Sequence, residues 1–281
     1  MKKYAVLSMD VEDWFHLDYF TKEDCDQSQS TLDGLDIYLD ILDQYNIKTT
    51  FFIVGELVEV LQDKIKLIKE KGHEICLHSY AHKRPLQLSL DEFRKDTVEG
   101  MNSFKKFTGL EVDGYRAPCF SLDRDRLEIL RELGFTFDSS KIKFDAHDLY
   151  GRINLDDFEE FNPTIYKQGP FYEFEASTVE VFGKNLPVSG GGYLRIFPWA
   201  LTKMLLKKYF KKQQHYFFYI HPFEFSKNYE ITVPEHTDFK TKIRFNQGRK
   251  SVENKMHKLI KLLKENNYEF VTFNQIIKNE S

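Results

Sequence analysis

Three carboxylates fall within four positions at Asp10-Val11-Glu12-Asp13, and two imidazoles have three residues between them in His78-Ser79-Tyr80-Ala81-His82. The histidine spacing is that of two ligands on one helical turn. With one carboxylate the pair makes a three-ligand set with open coordination positions, which suits a hydrolytic Zn2+ or a related divalent ion. Like charges packed this closely repel unless a cation or proton offsets them, so the acidic cluster points to the same kind of partner. The plainer readings are a solvated acidic loop and two surface or capping histidines. Two further groups, Arg116 and His221, each follow an apolar stretch.

These groups share a context: each directly follows a segment that reads as a β-strand. Residues 4–9, 49–54, 74–77, 112–115, 216–220 and 270–273 are short and rich in β-branched or aromatic side chains. Between them, residues 31–45, 56–71, 89–107, 123–133, 198–212 and 250–265 carry apolar positions at helical spacing. Thr31 is a candidate N-cap, Ser89 with Glu92 reads as a capping box, and Gly72 and Gly134 are stop signals. Residues 172–182 and 193–197 read as strands and hairpins that interrupt the rhythm. Strand and helix alternate as parallel βα units do. Six or seven such steps fit a barrel better than an open sheet, and in parallel barrels the working residues sit at the C-terminal strand ends.

The chain has 281 residues, of which 41% are hydrophobic and 30% charged. That is enough to bury a sizeable core. No repeat or linker stands out, so residues 1–281 read as a single domain. Lys and Arg total 40 against 44 Asp and Glu, a net charge of −4, which argues against a nucleic-acid partner. No apolar run approaches the ~18 residues of a membrane span. The apolar stretch before Asp10 is shorter than the ~7–15 residues of a signal-peptide core. Cys25, Cys76 and Cys119 are widely spaced without a Cys-x-x-Cys, as expected of thiols in a reducing cytosol. Aromatic residues reach 15%, which suits either an aromatic core or a carbohydrate cleft.

The ordered series of motifs resembles the polysaccharide deacetylase family, the NodB-homology group of carbohydrate esterases (family 4). Asp10-Val11-Glu12-Asp13-Trp14 stands at the first aspartate motif. His78-Ser79-Tyr80-Ala81-His82 matches H-[ST]-x-x-H, and Arg116-Ala117-Pro118-Cys119-Phe120 matches R-x-P-x-[FY]. Phe137-Asp138-Ser139-Ser140 and Tyr219-Ile220-His221-Pro222 are similar to the fourth and fifth motifs. More narrowly, the D-V-E-D-W-F start, His147-Asp148-x-Tyr150-Gly151 and the stretch from Pro187 to Arg195 resemble a subgroup found with bacterial exopolysaccharide and O-antigen gene clusters.

The resemblance implies an α/β fold, a distorted (β/α)7 barrel with extra β-hairpin insertions. It implies metal-dependent removal of an N-acetyl group from an amino sugar carried on a glycan, lipid or nucleotide. Asp10 would be the general base, Arg116 its orienting partner, His221 the general acid and Asp138 the group tuning it. His78 and His82 would be metal ligands. The family's usual adjacent aspartates are interrupted here by Val11, which leaves Glu12 or Asp13 as third ligand. Zn2+ is the first expectation, with Co2+, Mn2+ or Ni2+ as alternatives. Were both carboxylates to miss the ion, the related metal-independent, allantoinase-like cyclic-amide hydrolases would be the closer comparison. A non-catalytic carbohydrate-binding barrel is the reading from another class.

Trp14, Tyr80, Tyr193, Arg195 and His147 are candidates for lining a sugar cleft, with core packing or plain surface exposure as the alternatives. A backbone N–H of Tyr80 or Ala81 is the candidate oxyanion donor. Residues 199–212 (WALTKMLLKKYFKK) are basic and amphipathic. They are either an ordinary helix with one solvated face or a contact for an anionic membrane surface. The expected location is cytoplasmic, with peripheral attachment at the inner membrane left open.

Overall fold

Strands covered on both faces read as unbroken apolar runs, and the first segment, KYAVLSMDV, is buried from Tyr4 to Val11. The computed structural model describes residues 2–144 and 150–280. His147 therefore lies outside the described residues. The strands are β1 (Lys3–Val11), β2 (Thr50–Ile53), β3 (Glu74–Leu77), β4 (Gly114–Tyr115), β5 (Phe137–Ile142), β6 (Glu159–Asn162), β7 (Ile165–Gln168), β8 (Phe171–Ala176), β9 (Thr178–Val181), β10 (Lys184–Pro187), β11 (His215–Ile220) and β12 (Tyr268–Phe270). The helices are α1 (Asp33–Tyr45), α2 (Val58–Glu70), α3 (Leu90–Thr108), α4 (Arg124–Glu132), α5 (Gly191–Ile196), α6 (Trp199–Phe210), α7 (Pro222–Phe225), α8 (Phe239–Asn246), α9 (Arg249–Glu265) and α10 (Phe273–Glu280).

One sheet runs in the order β11-β1-β2-β3-β4-β5-β8-β7-β6. Its first seven members are mutually parallel, and β7 and β6 extend it antiparallel. The sheet curls into an incomplete barrel. Between β8 and β11 there is a seam rather than a ladder. Phe217 N–H donates to Ser177 Oγ at 2.9 Å, and Tyr219 N–H donates to the Ser189 carbonyl at 2.8 Å. Seven parallel strands agree with the distorted (β/α)7 expectation, and the extra hairpins are β6–β7 and β9–β10.

Alternation along β1 sorts its side chains between two cores. Ala5, Leu7, Met9 and Val11 pack outward into the layer shared with the helices. Tyr4 and Val6 point inward to an aromatic floor that includes Phe52, Phe137, Phe174, Phe217 and Phe273. Ser8, Asp10 and Glu12 continue the inward face toward the C-terminal end of the strand.

Several local expectations change. Of residues 193–197, all but Phe197 belong to the helix α5, where Leu194 N–H donates to the Gly190 carbonyl. A Cβ on Gly191 would come within 1.9 Å of Glu224 Oε2, so a close approach to α7 sets this turn rather than β-propensity. The run 172–182 breaks at Ser177, whose hydroxyl helps close the seam. Residues 270–273 divide between β12 and α10, because the Phe273 and Asn274 N–H groups donate to the buried Glu74 carboxylate. Thr31 does not cap α1; its hydroxyl donates to Asp13 Oδ1 at 2.8 Å. The Ser89–Glu92 capping box forms as expected.

Candidate active site and metal centre

Parity within the strands builds the site upward from the aromatic floor. The Arg116 guanidinium lies 4.1 Å from the Phe52 ring centroid. Its Nη1 donates to Ser8 Oγ at 2.8 Å and to Asp10 Oδ1 at 2.7 Å, while Nε and Nη2 donate to the Ser139 carbonyl and hydroxyl. Arg116 and Asp10 are both 2% exposed, so this is a buried ion pair with its remaining donors satisfied. One of the Asp10 oxygens is thereby committed, and Oδ2 faces His221 Nε2 at 4.0 Å.

Above that pair, Glu12, His78 and His82 each offer one ligand atom within 4.8 Å of the others. The two histidines do not share a helical turn. They flank a loop in which Ser79 and His82 hold left-handed φ values of 60° and 55°, with His82 N–H donating to Ser79 Oγ. Strained non-glycine residues of this kind gather at functional sites. Cys119 and Phe120, with φ of 53° and 52°, add two more at the cleft.

The donor set fits a divalent cation. His78 donates Nδ1–H to the Arg116 carbonyl at 2.7 Å, which leaves its Nε2 lone pair free, the usual second-sphere arrangement of a metal histidine. Burial, with His82 beside it, holds His78 down to about 4 despite Asp10, so the ring is neutral. The buried Glu12 Oε2 lies against His82 Nε2 but makes no hydrogen bond of acceptable geometry. Burial alone would raise the Glu12 carboxyl, yet the imidazoles of His82, His221 and His78 pull it down to about 2. Two imidazole nitrogens and an ionised carboxylate oxygen this close together are the kind of donor set that Zn2+ takes.

His221 follows β11 and precedes the short helix α7, where Pro222 occupies the first turn. Its Nδ1 lies 3.4 Å from Glu224 Oε2, and its own N–H donates to the same oxygen at 3.2 Å. Burial would lower His221, but Glu224, Glu12 and Asp10 together raise it to about 9. The ring is therefore an imidazolium at neutral pH, with Nε2 directed at Asp10 and Glu12. Glu224 is itself pinned by Arg195, whose Nη1 donates to the Arg244 carbonyl at 2.8 Å and to the Phe245 carbonyl at 3.2 Å.

Other sequence-derived candidates lie elsewhere. Asp13 stands outside the ligand cluster: it caps the turn at Trp14 and accepts from the Thr31 amide at 2.7 Å. Asp138 does not reach His221. It sits one residue from the inward Phe137 and Ser139, so it faces the other side of β5, where it accepts from Ser140 and neighbours Glu173. Trp14 is fully buried among Phe15, Phe20 and Phe245, and Arg195 is a buried brace for Glu224 rather than a cleft wall. The Tyr80 and Ala81 amides both donate to Asp96, which removes them as oxyanion donors, and Tyr80 is not among the cleft-lining side chains. Tyr193 does line the cleft.

The cleft has a volume of about 340 Å³. Asp10, Glu12, His78, His82 and His221 form its polar wall, and Tyr19, Phe120, Tyr150, Tyr193, Tyr219 and Phe223 its aromatic one. Cys119 borders it, but burial pushes its thiol well up, so it is no nucleophile. Sequence reasoning missed Glu224 and, Tyr193 apart, the aromatic wall. The signal for Glu224 was the capping box His221-Pro222-Phe223-Glu224.

The parallel strands of the barrel thus gather a carboxylate–arginine pair, His221 and a His-His-Glu cluster at their C-terminal ends. Residues 24–137 match the polysaccharide deacetylase family. Residues 139–278 match a domain of unknown function, DUF3473. A peptidoglycan deacetylase of Helicobacter pylori is 27% identical over 120 residues, covering 43% of this chain and 41% of that protein. The chain thus spans less than half the length of the curated relatives it matches first. A solved structure of a putative polysaccharide deacetylase from Mycobacterium smegmatis superposes with a TM-score of 0.61 at 17% identity, covering 99% of this chain and 90% of that one. A family pseudoenzyme from Bacillus anthracis superposes with a TM-score of 0.55 at 15% identity, covering 98% of this chain and 66% of that one. The fold is shared by both, so activity has to be argued from the site.

Proposed function

We propose that this protein removes an N-acetyl group from an amino sugar with the help of a divalent ion, Zn2+ first, held by Glu12, His78 and His82. What carries the reading is the convergence of those three donors beside the buried Asp10–Arg116 pair, with His221 opposite. A divalent ion bound there supplies Lewis acidity toward the acetyl carbonyl. Asp10, oriented by Arg116, accepts the proton of the attacking water through Oδ2. His221 starts as the imidazolium and donates its Nε2 proton to the departing amine; Glu224 holds the ring at Nδ1. General acid and base assistance of this kind contributes roughly 10²–10⁴-fold. The aromatic wall offers stacking faces to a sugar ring. The motif resemblance supports a substrate among acetylated glycans of surface polysaccharide biosynthesis.

The test is metal analysis of the purified protein paired with an acetate-release screen on acetylated oligosaccharides and sugar nucleotides, with and without chelator. The expected result is a bound divalent ion and acetate release that chelation abolishes and Zn2+ or Co2+ restores. Turnover that survives chelation would sink the metal-dependent reading.

A further inference from the structure

The hairpin joining β9 to β10 turns on two residues, Phe182 and Gly183, with φ of 51° and 75°. Such a turn favours Asn-Gly, and a phenylalanine there is conformationally disfavoured. Phe182 recovers nothing by packing, since it is 100% exposed. The hairpin is tied to α6 by the Lys208 ammonium, which donates to the Glu180 carbonyl at 2.7 Å. The core-facing side of α6 is occupied by Leu205, Leu206, Tyr209 and Phe210, while its outer side exposes Leu201 and Met204, the latter 60% exposed. Across the cleft, α8 exposes Phe239 at 78% and Ile243 at 46%. Those two stand four residues apart and so share one helix face.

Along the two helices the charge is of one sign, whereas the hairpin carries the exposed Glu180 beside Phe182. Residues 199–212 and 239–246 contain eight lysines and arginines and no acidic residue, in a chain whose net charge is −4. The carboxylate nearest α8 in sequence, Asp238, is engaged as its N-cap. Both helices adjoin the mouth of the cleft: Phe197, just before α6, and Arg244, within α8, line it. Apolar side chains in a cationic field are what an anionic bilayer surface accepts, the rings entering the interface and the lysines meeting lipid phosphates.

We propose that α6, the Phe182 hairpin and α8 dock the protein on an anionic lipid bilayer with the cleft mouth at the membrane surface. Docking itself does not depend on the deacetylase reading; only the inference that the docked cleft meets a membrane-borne amino sugar rests on it.

The experiment is vesicle flotation of the full chain with phosphatidylcholine alone and with added phosphatidylglycerol, at low and high salt. Lipid-free sedimentation and acetate release from a soluble substrate are measured alongside. Wild type is expected to float only with anionic vesicles and to be released by salt as screening shortens. Phe182→Asn, which suits the turn, and Met204→Glu should each weaken flotation several-fold. Lys203→Glu with Lys207→Glu should weaken it by at least about fivefold per position. Soluble turnover should be unchanged in all of these variants. Absence of anionic-vesicle binding, equal binding to both vesicle types, or unchanged binding in all the variants would overturn the proposal. So would a wild-type dimer that Met204→Glu dissociates, since the face would then be an interface between two copies. Flotation without acetate release would refute the deacetylase reading and leave the docking intact.

Discussion

Asp10 and His221 separate the catalytic argument from the structural one. Asp10→Asn keeps an acceptor for Arg116 Nη1, so the fold should hold while acetate release falls by roughly 10²–10⁴-fold; His221→Ala should do the same. Wild-type-like rates in either variant would remove that residue from the proposed chemistry. Arg116→Met differs in kind, because it strands the Asp10 carboxylate in the interior. Breaking a buried pair in this way costs about 3–5 kcal/mol, measurable as a lower urea midpoint. A second titrating group tests the far end of the barrel. His73, at the start of β3, accepts the Thr49 N–H on Nδ1 at 3.2 Å, which requires that nitrogen to be unprotonated. Burial, helped by Lys48 and Lys71, pushes its pKa from the ordinary 6.5 down to about 4. Between those values the unfolded chain binds more protons than the folded one. The stabilisation is therefore complete above pH 6.5 and lost progressively as pH falls toward 4. The urea midpoint of wild type should drop more steeply over that window than that of His73→Asn, whose amide oxygen accepts the same bond without titrating; parallel curves would contradict the assignment. The candidate site residues were legible because Asp10 lies at the C-terminal end of β1 and His78, Arg116 and His221 each immediately follow a strand. Choosing between Glu12 and Asp13 needed only the parity of β1, which turns even-numbered positions inward. Asp138 misled because a motif position carries no parity of its own.

At the level of elements, His221, the proposed acid, is aimed by packing between helices rather than by its own strand. The Cα of Gly34, at the start of α1, lies so close to α7 that a Cβ would fall 1.9 Å from the Pro222 carbonyl oxygen. That neighbour is backbone and cannot swing aside. Gly34→Ala should cost about 1–3 kcal/mol through overpacking and displace Pro222, and with it His221. Thermal denaturation should show the stability loss, and turnover should fall further than the remaining folded fraction explains. Activity proportional to folded protein would mean that α7 shifts without moving the imidazole. This contact was not legible, since a glycine in the first turn of a helix reads as a weak helix former and nothing more. The same holds for α5, where Tyr193 and Ile196 suggest a strand, yet Gly191 is the residue that admits Glu224. Local propensity yields where a neighbour must approach the backbone closely, the Pro222 carbonyl at Gly34 and the Glu224 carboxylate at Gly191. The β6–β7 hairpin was missed for another reason: β6 is acidic and largely exposed, so it carries no apolar alternation to read.

For the whole molecule, the barrel is held by ladders along seven parallel strands and by side-chain and loop bonds across the seam between β8 and β11. The strand count could be read from the sequence because βα alternation is periodic. The seam could not, because it depends on Ser177 and Ser189, two small polar residues with no pattern. The proposed metal centre joins the end of β1 to the loop after β3, distant in sequence and separated in the sheet by β2, so an ion held there would staple the sheet as well as serve the reaction. Anything that binds the folded state alone stabilises it by mass action, by about 2.7 kcal/mol at a hundredfold excess over Kd. In a chain of 281 residues that corresponds to a rise in Tm of roughly 5 °C. Metal-stripped protein titrated with Zn2+ should show such a rise. Glu12→Gln, which keeps the shape of the side chain but loses the anionic ligand, should abolish most of it, whereas Asp13→Asn should leave the zinc-dependent increment intact despite lowering the baseline through the Thr31 and Trp14 contacts. Equal zinc increments in wild type and Glu12→Gln would remove Glu12 from the ligand set and leave the two histidines without their third partner.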